Sequence, residues 1–151
     1  MDLGRVKRGE WIALVGGILL AGGLFLKWYG VHENGTVNGI DGPTTFTGWD
    51  AHPTLRWLLL AAAVAPLILA WIIARNHTLS WPRGQLTSVI AIAAFGFIGY
   101  EGVVDRPGDS NSLVSLKLGW FVALVGVLAM LFGSVMRQQE TEIRRKPPGT
   151  I

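Results

Sequence analysis

The stretch 57-WLLLAAAVAPLILAWIIA-74 runs for eighteen residues without a charge. A bilayer core about 30 Å thick is crossed by about 20 helical residues, with about 17 to 25 as the working range. This stretch therefore reads as a membrane span. Three further uncharged runs lie on either side of it: Trp11 to Leu26, Gly84 to Tyr100 and Leu118 to Met136, of 16, 17 and 19 residues. In hydrocarbon each backbone N–H and C=O has to be satisfied within its own segment, so the runs are expected as helices and not strands. The predicted fold is an all-α, four-helix transmembrane bundle forming a single domain over residues 1–151. Its spans fall at about 11–29, 56–74, 84–104 and 117–137, with a long first outer loop at 30–55 and a cytoplasmic tail at 138–151.

Composition agrees with that reading. Half of the chain is hydrophobic and 15% is charged, against about 25% charged in an ordinary soluble domain. With no cysteine, disulfides, thiolate metal sites, iron–sulfur clusters and cysteine nucleophiles are excluded, and packing alone holds the fold. The net charge is +3, yet the longest basic run is Arg144-Arg145-Lys146, just beyond the last apolar stretch. Such residues read as topology signals and not as a nucleic-acid patch. Arg5, Lys7 and Arg8 resemble the basic start of a signal peptide, and Ala21-Gly22-Gly23 offers small residues for cleavage. The apolar run continues through Leu24-Phe25-Leu26, so the segment is expected to be retained. Gly23 stands where lipidation would need cysteine.

Nine of the thirteen Lys and Arg residues fall on one face of this map: Arg5, Lys7, Arg8, Arg75, Arg83, Arg137, Arg144, Arg145 and Lys146. Lys27, Arg56, Arg106 and Lys117 fall on the other. The positive-inside rule then places both termini in the cytoplasm of a cell membrane. The seven tryptophans mark the rims, Trp11, Trp71 and Trp81 inside and Trp28, Trp49, Trp57 and Trp120 outside, as expected of rings that prefer the headgroup level. Small residues at four-residue spacing (Ala13, Gly17 and Ala21; Ala61 and Ala65; Gly119 and Ala123) predict close helix contacts. Pro66 lies mid-span and predicts a kink.

The uncharged cores hold no ionisable side chain except Tyr100 at the edge of the third, and only Thr87, Ser88 and Ser134 offer hydroxyls near span ends. Pumps, ion-coupled transporters and selective channels need acids, bases or histidines at depth. In the outer loop, Asn34-Gly35, Asn38-Gly39 and Asp41-Gly42-Pro43 are turn signals around Thr36-Val37 and before Thr44-Thr45-Phe46-Thr47, which predicts a short β-hairpin over the bundle mouth. His32, Glu33, Asp41, Asp50 and His52 share this loop without metal-ligand spacing, so they are expected as solvated polar residues. No metal and no cofactor is expected. His77, beside Arg75, needs only a headgroup contact. The candidate site is a polar collar at the outer helix ends: Asp50, Arg56, Tyr100, Glu101, Asp105, Arg106 and Lys117. Glu101 lies one turn before Asp105, and Arg56 and Lys117 are the expected counter-ions in a salt-bridge rim.

Phe25-Leu26-Lys27-Trp28-Tyr29, Gly48-Trp49-Asp50-Ala51, Tyr100 with Asp105-Arg106-Pro107-Gly108, and Gly119-Trp120 to Gly133 together resemble uncharacterised small four-helix membrane proteins of actinobacteria. Lys27 stands where proline is usual in that group. The resemblance implies topology and outer-face motifs and no reaction. The long first outer loop is also similar to the claudin-like tetraspan arrangement, without its cysteine pair and as architecture only. The expected function is non-enzymatic: an accessory, scaffold or assembly subunit whose partners are the lipid bilayer and other membrane proteins or itself, not nucleic acid. The alternative is a binder of a lipid or small apolar molecule between the helices, with a polar outer mouth.

Overall fold

The computed structural model describes residue 4, residues 6–75, residue 77 and residues 84–145, the side chains of 141–145 excepted. All four apolar runs are helical, in α1 (Arg8–Leu24), α3 (Leu55–Ala74), α4 (Gln85–Gly99) and α5 (Leu118–Arg145), while α2 is a single turn at Gly48–Ala51. A π-helical turn, Tyr100–Val104, extends α4. The segments Leu55–Ala74, Gln85–Val104 and Leu118–Glu140 are long and apolar enough to cross a membrane. At 17 residues, α1 is about 25 Å long.

The chain is not purely helical, which corrects the all-α expectation. Lys27–Val31 (β1) is the middle strand of an antiparallel sheet, flanked by Thr44–Thr47 (β4) and Val114–Leu116 (β5). Tyr29 pairs with both Phe46 and Leu116. The first span was expected to reach residue 29, but the N–H groups of Phe25 and Leu26 turn back onto the Gly22 and Gly23 carbonyls and the helix stops at Leu24. Aromatic Trp28 and Tyr29 and β-branched Val31 favour the extended form, and strands on both sides supply the hydrogen bonds that a continued helix would have made. A hairpin is present in the loop, as Thr36–Val37 (β2) paired with Ile40–Asp41 (β3), although Asp41 reads as a turn residue in the sequence and the other strand-favouring stretch, Thr44–Thr47, pairs with β1 instead. Its turn is Asn38-Gly39, with φ of 52° and 77°; positive φ at both central residues is the type I′ geometry that suits strand twist.

The principal interface is between antiparallel α1 and α5, with α3 on α1 and α4 on α5; α3 and α4 touch little. Small residues do make the close contacts, and the expected Ala13 and Ala123 lie in the α1–α5 seam, but the α1 glycines that carry it recur every seven residues and not every four. Gly9, Gly16 and Gly23 on α1 face Gly133, Gly126 and Ala123 on α5, and a Cβ added at Gly16 would lie 2.5 Å from the Gly126 carbonyl oxygen. A seven-residue repeat keeps one stripe facing its partner along a left-handed pair. The two helices are also alike in sequence: Ala13-Leu14-Val15-Gly16 recurs as Ala123-Leu124-Val125-Gly126, and the burial of 11–24 repeats residue for residue at 121–134. The pair thus meets about a local two-fold. Gly17 serves the other contact, against Ala63 and Pro66 of α3. Pro66 is buried inside that helix.

Two rim tryptophans are in fact interior. Trp28 and Trp120 are buried, and their indole N–H groups donate to the carbonyls of Gly23 (2.7 Å) and Ile98 (3.0 Å). Both carbonyls lie at helix C-terminal ends, and that of Gly23 accepts from the Leu26 N–H as well. The positions expected for Trp81 and Arg83 lie outside the described residues.

Candidate functional site

At the sheet end of the bundle, β1, α2 and the π turn bring three polar side chains together. Tyr29 is fully buried, and its hydroxyl lies 2.9 Å from His52 Nε2 and 3.3 Å from the Glu101 carbonyl oxygen. His52, just after α2, is only 7% exposed. The Trp28 and Tyr29 rings meet it at 5.8 and 5.5 Å, and its Nδ1 is 3.7 Å from Glu101 Oε2. The expectation that His52 is a solvated loop residue is therefore overturned. A sequence signal for this existed in its apolar neighbours Ala51 and Pro53, but what buries the ring is the α2 turn and the Trp28 indole lying over Gly48.

Burial in this apolar setting disfavours charge. It pushes the His52 imidazole down to about 4, so the ring is neutral at pH 7. Burial also pushes the Tyr29 hydroxyl above its usual range, with the Glu101 carboxylate adding to the effect and Arg106 opposing it. The neutral imidazole is hydrogen-bonded to the protonated phenol, while the Glu101 carboxylate at 3.7 Å lies beyond hydrogen-bond distance, and Tyr29 has no exposed surface. Glu101 alone is open to solvent, with 27% of its side chain exposed. The arrangement ties β1, the α2–α3 junction and the end of α4 to one another.

The other collar residues do not converge. Arg56 lies over the Trp49 and Trp57 rings at 5.0 and 5.6 Å and donates to the Trp49 carbonyl at 3.4 Å. It forms no ion pair with Glu101 or Asp105, contrary to expectation, because the two indoles hold its guanidinium on the α2–α3 side. Asp50 exchanges hydrogen bonds with Thr47 and closes the first turn of α2. Arg106 staples its loop, donating to the Gly102 and Val114 carbonyls at 2.8 and 2.7 Å. Lys117 donates its backbone N–H to the Trp28 carbonyl at 2.6 Å, and its side chain lies across Gly30 with no carboxylate partner among the described residues. Tyr100 and Asp105 are exposed. A recess of about 440 Å³ on the sheet face is lined by His32, Thr45, Ser115 and Lys117. Among the described residues no three His, Asp or Glu side chains are grouped to hold a metal ion.

The far end of the bundle holds a polar cluster for which the sequence carries little signal. Arg137 Nε of α5 lies 3.0 Å from Glu10 Oε1 of α1, both side chains nearly buried. Arg137 also reaches Glu140, which reaches Lys7. Next to this pair Ser88 donates to the Gly84 carbonyl, contacts Ser134 Oγ at 3.0 Å and accepts from Gln138 at 2.7 Å. A cavity the size of one water is bounded by Glu10, Thr87, Ser134 and Arg137. Glu10 sits one residue outside an uncharged run and Arg137 one residue outside another. Only the antiparallel register of α1 and α5 brings them together.

No family model, curated protein or solved structure matches the chain.

Proposed function

We propose that this chain is a multi-pass protein of the cell membrane that works without catalysis, as an accessory, scaffold or assembly subunit for other membrane proteins or for itself. In this reading it is akin to the small actinobacterial four-helix proteins it resembles, with both termini in the cytoplasm. The observation that carries the reading is how the polar groups are used. His52, Tyr29, Arg106 and the Glu10–Arg137 pair are each bonded within the fold, whereas the exposed helix surface is apolar, with Trp57, Leu58, Leu67, Ile68, Val89, Ile92 and Phe95 all open. In this topology α1 is the fourth crossing. Its 17 residues are at the short limit of the working range, and its partner α5 runs antiparallel alongside it.

One observation favours the second reading, a lipid or small apolar ligand between the helices. Where α3 and α4 separate, a crevice of about 240 Å³ is lined by Leu58, Ala61, Ala62, Ile90, Ala93 and Phe97. A photo-reactive residue in place of Phe97, activated in native membranes, separates the two readings. A discrete protein adduct supports the scaffold, and an adduct to lipid alone overturns it in favour of the ligand site. Topology is tested by reporter fusions, expected to read cytoplasmic after Lys146 and external near Gly39.

A further inference from the structure

At the far end, on the α1–α3 side, lies a groove of about 550 Å³ walled by Trp11, Leu14, Leu67, Ile68, Ala70 and Trp71. Its lining is almost wholly apolar. One wall of the groove carries a cation: the Arg75 guanidinium stands 4.5 Å over the ring of the lining residue Trp71, on an exposed residue directly after α3. Arg75 has no carboxylate partner among the described residues, and the sequence holds no acid between Asp50 and Glu101. Exposed Arg8 opens α1 at the same end of the bundle. The neighbouring acid Glu10 is already committed to Arg137.

We propose that this groove seats one anionic glycerophospholipid, an acyl chain between Trp11 and Trp71 and the phosphate on Arg75. An apolar trough at membrane depth takes hydrocarbon. The two indoles flank it at the level where acyl chain gives way to headgroup, and a cation stacked on an aromatic ring keeps outward-facing N–H donors for a phosphate oxygen. A zwitterionic headgroup brings its own ammonium to the same phosphate and gains less from Arg75. The inference rests on the chain being embedded in a bilayer, and not on which face is cytoplasmic.

The test uses the full chain in mild detergent, titrated with phosphatidylglycerol or phosphatidylcholine of identical acyl chains and read by native mass spectrometry. One basic side chain at a membrane surface is worth about 1 kcal/mol, so phosphatidylglycerol is expected to be retained about fivefold better. Arg75→Gln is expected to abolish that preference, and Ala70→Phe, which fills the groove, to remove the bound lipid of either kind. Lys27→Gln, an exposed cation at the sheet end, is expected to change nothing. Equal retention of the two lipids, an Arg75→Gln protein that still prefers phosphatidylglycerol, or displacement of the lipid by inorganic phosphate overturns the site. A dimer lost on Ala70→Phe also overturns it, assigning the groove to a second copy. Should Ala70→Phe fail to fold, Arg75→Gln decides alone, since its side chain is outside the core. Carbonate extraction of native membranes checks the premise separately: an extractable chain overturns the membrane reading, whereas a retained chain without lipid preference overturns only the groove.

Discussion

Gly16 and Gly126 face each other across the α1–α5 seam so closely that a side chain on either would enter the other helix's backbone. The relation repeats one heptad away at Gly9 with Gly133, and one heptad along α1 in the other direction Gly23 meets Ala123, three residues from Gly126. Backbones this close gain dispersion contacts and weak Cα–H···O contacts, which matter where lipid competes equally well for apolar side chains.

Gly16→Leu or Gly126→Leu is therefore expected to separate the central pair, costing about 1–3 kcal/mol or more as overpacking does. Gly22→Ala is the control, because nothing lies within 4 Å of a Cβ there. Thermal unfolding in detergent reads both. A Gly16→Leu protein that melts with the wild type would show that the seam is not the principal contact.

His52 makes stability depend on pH with a fixed sign. Its folded-state value is lowered to about 4 from about 6.5 in the unfolded chain, so between these values the unfolded state binds more protons. The contribution is complete above about pH 6.5 and declines as pH falls towards 4, by up to about 3 kcal/mol. Urea unfolding of solubilised protein across that window checks it, with His52→Gln expected to be less stable at pH 7.5 and to show a flatter decline. An unchanged slope in His52→Gln would assign the pH dependence to other groups.

Arg137→Met is expected to cost about 3–5 kcal/mol, since it leaves the buried Glu10 carboxylate without its cation, and Glu10→Gln less, since Arg137 keeps Glu140 at 3.4 Å. The double change Glu10→Leu with Arg137→Met is expected to recover most of the loss. Glu140 and Lys7 stand at the edge of this network, so Arg137→Met also leaves Glu140 with Lys7 alone and is expected to be the worse single change. Losses that add in the double variant would contradict this account.

Arg56 is held by rings and not by carboxylates. A double-mutant cycle with Trp49→Leu is expected to give a coupling of about 0.5–1 kcal/mol, and the cycle with Asp105→Asn none. Measurable coupling to Asp105 and none to Trp49 would restore the salt-bridge rim.

The four apolar runs are legible in the sequence because the lack of charge over 16 to 19 residues is a local property that no distant contact creates. The Asn38-Gly39 hairpin is legible for the same reason: both residues tolerate positive φ, and the turn is complete within four positions. The strand after α1 has no such local cause. Lys27–Val31 becomes extended because β4 and β5, the latter more than eighty residues away in the chain, offer partners on both edges. His52 is buried, and Arg56 of α3 turned away from the acids, because the α2 turn ends with His52 against Trp28 and sets Trp49 under the Arg56 guanidinium. The use of Gly9, Gly16 and Gly23 as the α1–α5 seam, with Ala13 alone from the four-residue stripe, was decided by tertiary structure. Both stripes are written in the same helix, and only the position of α5 selects the one on which two backbones come into contact.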